Sequence, residues 1–167
     1  GEGWQRGERL LRDSLSDLNH YSVGYVDWNL LVNYKGGPNH LGNNCDANIV
    51  ADPQRRLTNK TSGAGYSAVV LRPSYYMLGH VARFVPRGSV RLDTSFIVAG
   101  GGVQTVQEDD DVATSIDVAA FAMINGSTSV ILLNRGEETV EYTLRDKVTG
   151  REAELAALPH SAQSFIF

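Results

Sequence analysis

At 167 residues, with 42% hydrophobic and 20% charged side chains, the chain is long enough to bury a core and too apolar for wholesale disorder. A formal net charge of −4 gives no electrostatic footprint for nucleic acid or an anionic membrane, so nucleic acid is not an expected partner. The longest apolar runs, "SVILL" and "FIVAG", are far too short to span a bilayer, so no transmembrane segment is expected.

The chain opens "GEGWQRG" without an initiator Met, which predicts a processed protein or a piece of a longer one. In the first segment Trp4, Gly7, Leu11, Leu15 and Leu18 recur at spacings of three and four, the mark of one apolar helical face. The run "SVGYVDWNLL" (22–31) follows. Its β-branched and aromatic residues predict a strand buried on both faces.

Residues 27–46, "DWNLLVNYKGGPNHLGNNCD", then combine an Asp and a Trp at the mouth of that strand with turn chemistry rich in amides. That combination suits a ligand with a polar rim and a flat apolar face, such as a sugar ring. A hairpin is predicted from "NIVADPQRRL" and "GYSAVVLR", joined by "TNKTSGA". Pro73 suits a first helical turn, and the helix "SYYMLGHVARFV" runs until Pro86 and Gly88 stop it.

From residue 89 the pattern is strands alone. "SVRLDTSFIV", "VQTVQ", "TSIDVAAFAM", "SVILLNR", "TVEYTLRDK", "EAELAAL" and "AQSFIF" are separated by turn signals, with Asn125-Gly126 the strongest hairpin signal. Seven short strands at this spacing predict a β-sandwich or barrel. The acidic run at 108–111 is read as a solvated loop, since the ligand spacing of a calcium loop is absent.

Cys45 is the single cysteine, so no internal disulfide or cysteine metal site can form, and it is expected to be a buried, inert thiol. With no close histidine cluster either, no metal site is predicted, and His20 and His80 are expected to be structural. Two sequons, at Asn59 and Asn125, are candidate glycosylation acceptors and point to a secreted or lysosomal setting.

A strand, a loop and a covering helix make one β/α unit, which does not fold alone because a parallel strand needs neighbours. Residues 1–85 therefore read as the tail of a β/α barrel or sheet that begins upstream. The stretches "VGYVDWNLLVNYKGGPNHLGNNCDANIV" and "PSYYMLGHVARFVPRGSVR", with "SIDVAAFAMINGSTSVILLNRG" after them, resemble the C-terminal portion of glycoside hydrolase family 30, in its glucosylceramidase branch. The motifs D-W-N, G-G-P-N and G-N-x-x-D carry the likeness by their combination and order, and the Tyr-Tyr-x-x-Gly-His helix adds to it.

The resemblance implies the last β/α unit of a (β/α)8 TIM barrel followed by a C-terminal antiparallel β-sandwich. Residues 1–85 would supply helix 7, strand 8, its loop and helix 8, and residues 86–167 most of the sandwich. It implies a retaining β-glycosidase that needs no cofactor, acting on a β-glucoside or glycolipid. Its two catalytic glutamates would lie upstream, in an N-terminal barrel portion that is the expected partner of this chain. Neither Glu2 nor Glu8 fits the nucleophile's place at the end of an apolar strand.

In such a barrel the site lies at the C-terminal ends of the strands. Trp28 would then pack its indole on the apolar face of a pyranose, and Asp27 would accept bonds from sugar hydroxyls. Asn43 matches the substrate-binding Asn of the family. Asn39 and Asp46 are expected to brace the loop, and His40 either lines the outer rim or is a satisfied loop histidine. Asn44 stands where an aromatic is usual, and 53–70 is longer than in the animal enzymes, which leaves open whether ceramide, another lipid or a glucan is the cleaved group. The alternative reading is a non-catalytic carbohydrate-binding or structural sandwich module derived from such an enzyme.

Overall fold

The computed structural model describes residues 2–38, 42, 44–52, 68–97, 103–105 and 115–167. The predicted "TNKTSGA" connection, the Gly100–Gly102 turn, the acidic run at 108–111 and the Asn59 sequon lie outside them. The elements run α1 (Glu2–Asn19), β1 (Leu31–Asn33), β2 (Ile49–Asp52), β3 (Ala68–Leu71), α2 (Pro73–Phe84), β4 (Val90–Leu92) and β5 (Ser95–Ile97). After these come β6 (Val103–Thr105), β7 (Ile116–Ala122), β8 (Thr128–Asn134), β9 (Val140–Arg145), β10 (Glu152–Ala157) and β11 (Ser161–Ile166). The chain forms two compact units, one of residues 1–7 and 26–76, the other of residues 8–25 and 77–167.

The first unit is built on a three-stranded sheet in the order β1-β2-β3. β1 runs parallel to β2, pairing Leu31 with Ile49, and β2 runs antiparallel to β3, pairing Ile49 with Leu71. The predicted hairpin is therefore present as β2 and β3. Its small core joins Val32, Ala47 and Val50, with Cys45 and Val70 partly buried against it. Cys45 is only half-buried, against the full burial expected of it.

The strand predicted at 22–31 is a correction. Among the described residues only its last residue enters a ladder, and Val26, Leu30 and Leu31 are exposed rather than buried on both faces. The apolar run encodes a wish for burial but not its partner, and without neighbours on both sides such a segment has no ladder to join.

The second unit centres on a four-stranded antiparallel sheet in the order β11-β8-β7-β4. Alternation along its middle strands sends Ala119, Phe121, Ile131 and Leu133 to one face, where they form a core with Leu11, Leu15 and Met77 from the helices. Ala120, Val130 and Leu132, with the opposite alternation, are buried too. β9 and β10 pair as a separate two-stranded sheet, with Leu144 opposite Ala153. Gln163 on β11 bridges to that sheet, accepting from the Tyr142 hydroxyl at 2.8 Å and donating to Ala156 O at 2.8 Å.

The predicted helical face holds at Leu11 and Leu15, while Trp4 is exposed. α1 closes with Tyr21 at φ 71° and Ser22 N–H donating to Asp17 O at 3.0 Å, the 6→1 bond of a left-handed helix cap. The Asn125-Gly126 signal is met by the β7–β8 hairpin, with Ala122 opposite Thr128 and Gly126 at φ 86°. The single strand predicted over 89–98 is two, because β4 pairs with β7 while β5 pairs with β6, and Asp93 and Thr94 part them.

Candidate functional site

The loop after β1 is shaped by its own backbone. Asn33 Oδ1 accepts from Lys35 N–H at 2.9 Å and Gly37 N–H at 3.0 Å, a side-chain mimic of a turn. Gly36 has φ 76°, and a Cβ there would stand 2.6 Å from the Cys45 carbonyl oxygen and 2.8 Å from its nitrogen. Only glycine allows that approach, which lets Cys45 N–H donate to Gly36 O at 3.0 Å. The Gly37–Pro38 and Trp28–Asn29 peptides are both cis.

The returning chain meets the segment just before β1. Asn48 Nδ2 donates to Asp27 Oδ2 at 2.9 Å, and Asn29 Nδ2 donates to Asp46 O at 3.2 Å. Between these two contacts Trp28 stands 81% exposed, which removes it from any core of this unit. Asp27 and Asn29 are half-buried, so an indole face is flanked by amide and carboxylate groups. Such a surface can offer stacking to an apolar ring face and hydrogen bonds to its rim.

Asp46 is the brace of the loop, as expected of it. Its carboxylate pairs with the guanidinium groups of Arg6 and Arg72 and accepts from Ala47 N–H at 2.8 Å. Of the expected ligand-contacting residues the structure places Asp27 and Trp28 side by side, while Asn39, His40 and Asn43 lie outside the described residues. Sequence reasoning missed Asn29, Asn48, Arg6 and Arg72. An Asn opening a strand and an Arg on a helix carry no local signal of a partner elsewhere in the chain.

The second unit holds a different polar cluster. His160 Nδ1 lies 2.8 Å from Oε1 of the buried Glu8, and Nε2 lies 3.2 Å from Glu137 Oε1. Hydrogen bonding to Glu8, then to Glu137, raises the His160 pKa above its ordinary value. His80 moves the other way, lowered by burial, with Nδ1 2.8 Å from Ser164 Oγ. His20, exposed just past the end of α1, has Nδ1 2.7 Å from Ser16 O. Asn125 is exposed at the tip of the β7–β8 turn, where its Oδ1 accepts from the Ser127 hydroxyl at 2.6 Å. Among the described residues no helix is long and apolar enough to cross a membrane.

Two family models match the chain: the glycosyl hydrolase family 30 TIM-barrel domain over residues 1–85, and the family 30 beta sandwich domain over residues 88–165. The lysosomal acid glucosylceramidase of Mus musculus is 30% identical over 147 residues, 88% of this chain and 24% of that protein. The crystal structure of SrfJ from Salmonella typhimurium matches with a TM-score of 0.76 at 23% identity, over 100% of this chain and 31% of its own. An endo-β1,6-glucanase matches at 0.66 and 22% identity, over 95% of this chain and 31% of its own. At those identities the two structures speak to fold alone. The chain spans about a quarter of the length of the curated relatives it matches. Its architecture is the end of a TIM barrel followed by a C-terminal antiparallel β-sandwich. With models of both domains matched in order along it, the chain belongs to glycosyl hydrolase family 30.

Proposed function

We propose that the chain is the C-terminal part of a retaining β-glycosidase that hydrolyses β-glucosides, such as glucosylceramide or a related β-glucan. Residues 1–85 close its barrel and residues 86–167 form its sandwich. The observation that carries the reading is the exposed Trp28 beside Asp27 in the segment leading into β1, a flat apolar ring flanked by hydrogen-bonding groups that suits a sugar. Trp28 stacks on the pyranose, Asp27 and Asn43 take its hydroxyls, and Asn39 and His40 are further substrate-binding candidates. Two carboxylates about 5–5.5 Å apart, supplied by the upstream part of the barrel, form and then hydrolyse a glycosyl-enzyme.

The apolar residues Val26, Leu30 and Leu31, exposed at and before the start of β1, support an upstream partner, since an exposed apolar patch marks an interaction surface. The mouse relative is named lysosomal, and the exposed Asn125 sequon accords with a secreted or lysosomal protein. The test is hydrolysis of a chromogenic β-glucoside by the full-length protein, with proton NMR of the sugar first released. A β-anomer appearing first is the expected result. Initial release of the α-anomer overturns the retaining mechanism, and sugar binding without hydrolysis overturns the enzyme reading in favour of a binding module.

A further inference from the structure

An indole that is 81% exposed has no packing to hold it, yet a binding platform must keep its angle. Trp28 is held instead through its two chain neighbours. On one side Asn48 Nδ2 donates to Asp27 Oδ2 at 2.9 Å. The amide's orientation is dictated by chemistry, because an ionised carboxylate only accepts and must face the NH2 end. Asn48 is itself immobilised: it is 4% exposed, its carbonyl oxygen accepts from Arg72 N–H at 3.0 Å, and the next residue, Ile49, donates to Leu30 O at 3.1 Å. On the other side Asn29 Nδ2 donates to Asp46 O at 3.2 Å, and the Asp46 carboxylate is tied to Arg6 and Arg72.

From this geometry we infer that Asn48 and Asn29 are positioning residues. The segment 46–48 grips the chain on both sides of Trp28 and so sets the angle at which the indole meets the sugar. The inference rests on the reading of Trp28 as a sugar platform. It assigns neither Asn48 nor Asn29 a contact with substrate. Burial of the Asn48 amide is what makes its grip firm, since a buried donor without its acceptor is expensive. The charged groups around the clamp are Asp27, Asp46, Arg6 and Arg72, and Asp46 pairs with both arginines.

The experiment uses the full-length protein and a chromogenic β-glucoside, with Asn48→Ala, Asn48→Asp and Trp28→Ala made together. Loss of the clamp lets the ring sit wrongly against the catalytic groups, so Asn48→Ala is expected to lower kcat/KM by about ten- to a hundredfold. Asn48→Asp sets a second carboxylate against Asp27, and two carboxyl groups in contact favour sharing one proton. That proton restores a donor to Asp27, so the variant's kcat/KM relative to wild type should recover as pH falls. A residue that only fills space gives no such recovery.

Wild-type kcat/KM in Asn48→Ala, or a deficit in Asn48→Asp that stays constant with pH, overturns the clamp. If Asn48→Ala does not fold, the pH profile of Asn48→Asp decides alone. Should Trp28→Ala keep its activity, the platform reading itself falls. If Trp28→Ala is crippled while both Asn48 variants match wild type, only the clamp falls.

Discussion

Replacing Trp28 by Ala should remove activity in the full-length enzyme, while the packing lost within residues 1–167 is small. The size of the second effect follows from exposure. With 81% of its surface open, Trp28 covers about a fifth of it. A fully buried aromatic removes up to about 250 Å² from water, so roughly 50 Å² is lost on truncation. At about 25 cal/mol per Å² that area is worth about 1 kcal/mol. A core Trp cut to Ala costs about 3–5 kcal/mol, and Leu133, fully buried in the sheet core, sets a comparable internal control at about 2–5 kcal/mol for Leu133→Ala. The catalytic effect is of another order, because a misplaced ring costs about a hundredfold in rate. Melting temperature and kcat/KM measured on one preparation separate the two. A variant that melts as early as Leu133→Ala, yet turns over like wild type while folded, refutes the reasoning.

Gly36→Ala should destabilise the first unit more than Gly42→Ala. Both positions have positive φ, at a cost of about 1–2 kcal/mol for an L side chain, but only at Gly36 does the added Cβ meet backbone, at 2.6 Å. Equal melting temperatures for the two would show that the Gly36–Cys45 contact is dispensable. For His160, the folded pKa lies above the unfolded value of 6.5, so its bonds to Glu8 and Glu137 stabilise fully below that pH. Their contribution is lost as pH rises through the folded pKa. His160→Asn, which tolerates the φ of 51°, should therefore melt below wild type in acid and approach it in mild alkali, and a gap that widens with pH would reverse the assignment.

Legibility in the sequence tracked the range of the interaction. The β7–β8 hairpin was readable because its signal is local: Asn125-Gly126 sits between two alternating runs, and Ala122 lands opposite Thr128. Leu11 and Leu15 were readable for the same reason, since a four-residue spacing puts both on one helical stripe. The division of 89–98 into β4 and β5 was not, because an apolar alternation continues through Asp93 and Thr94 and only the choice of partner strand parts them. Glu8 and His160 are 152 residues apart, and no spacing rule reaches that far.

The same limit explains the candidate site. Trp28 and Asp27 stood out from residue type and position, since a large aromatic and a carboxylate before a glycine-rich turn are hard to account for as packing alone. What holds them did not stand out. Asn48 looks like any polar residue entering a strand, and its role exists only because the Gly36–Cys45 contact folds the chain back on itself. Asp46 read as a loop brace, but its partners Arg6 and Arg72 come from α1 and the residue before α2. A site of this kind thus divides into a face that sequence exposes and a support that only the closed loop creates. Substitutions in the support act through distance and angle and leave the exposed indole's chemistry intact. That is why the support must be tested by pH-dependent rescue, which reports on the donor to Asp27, rather than by loss of activity alone.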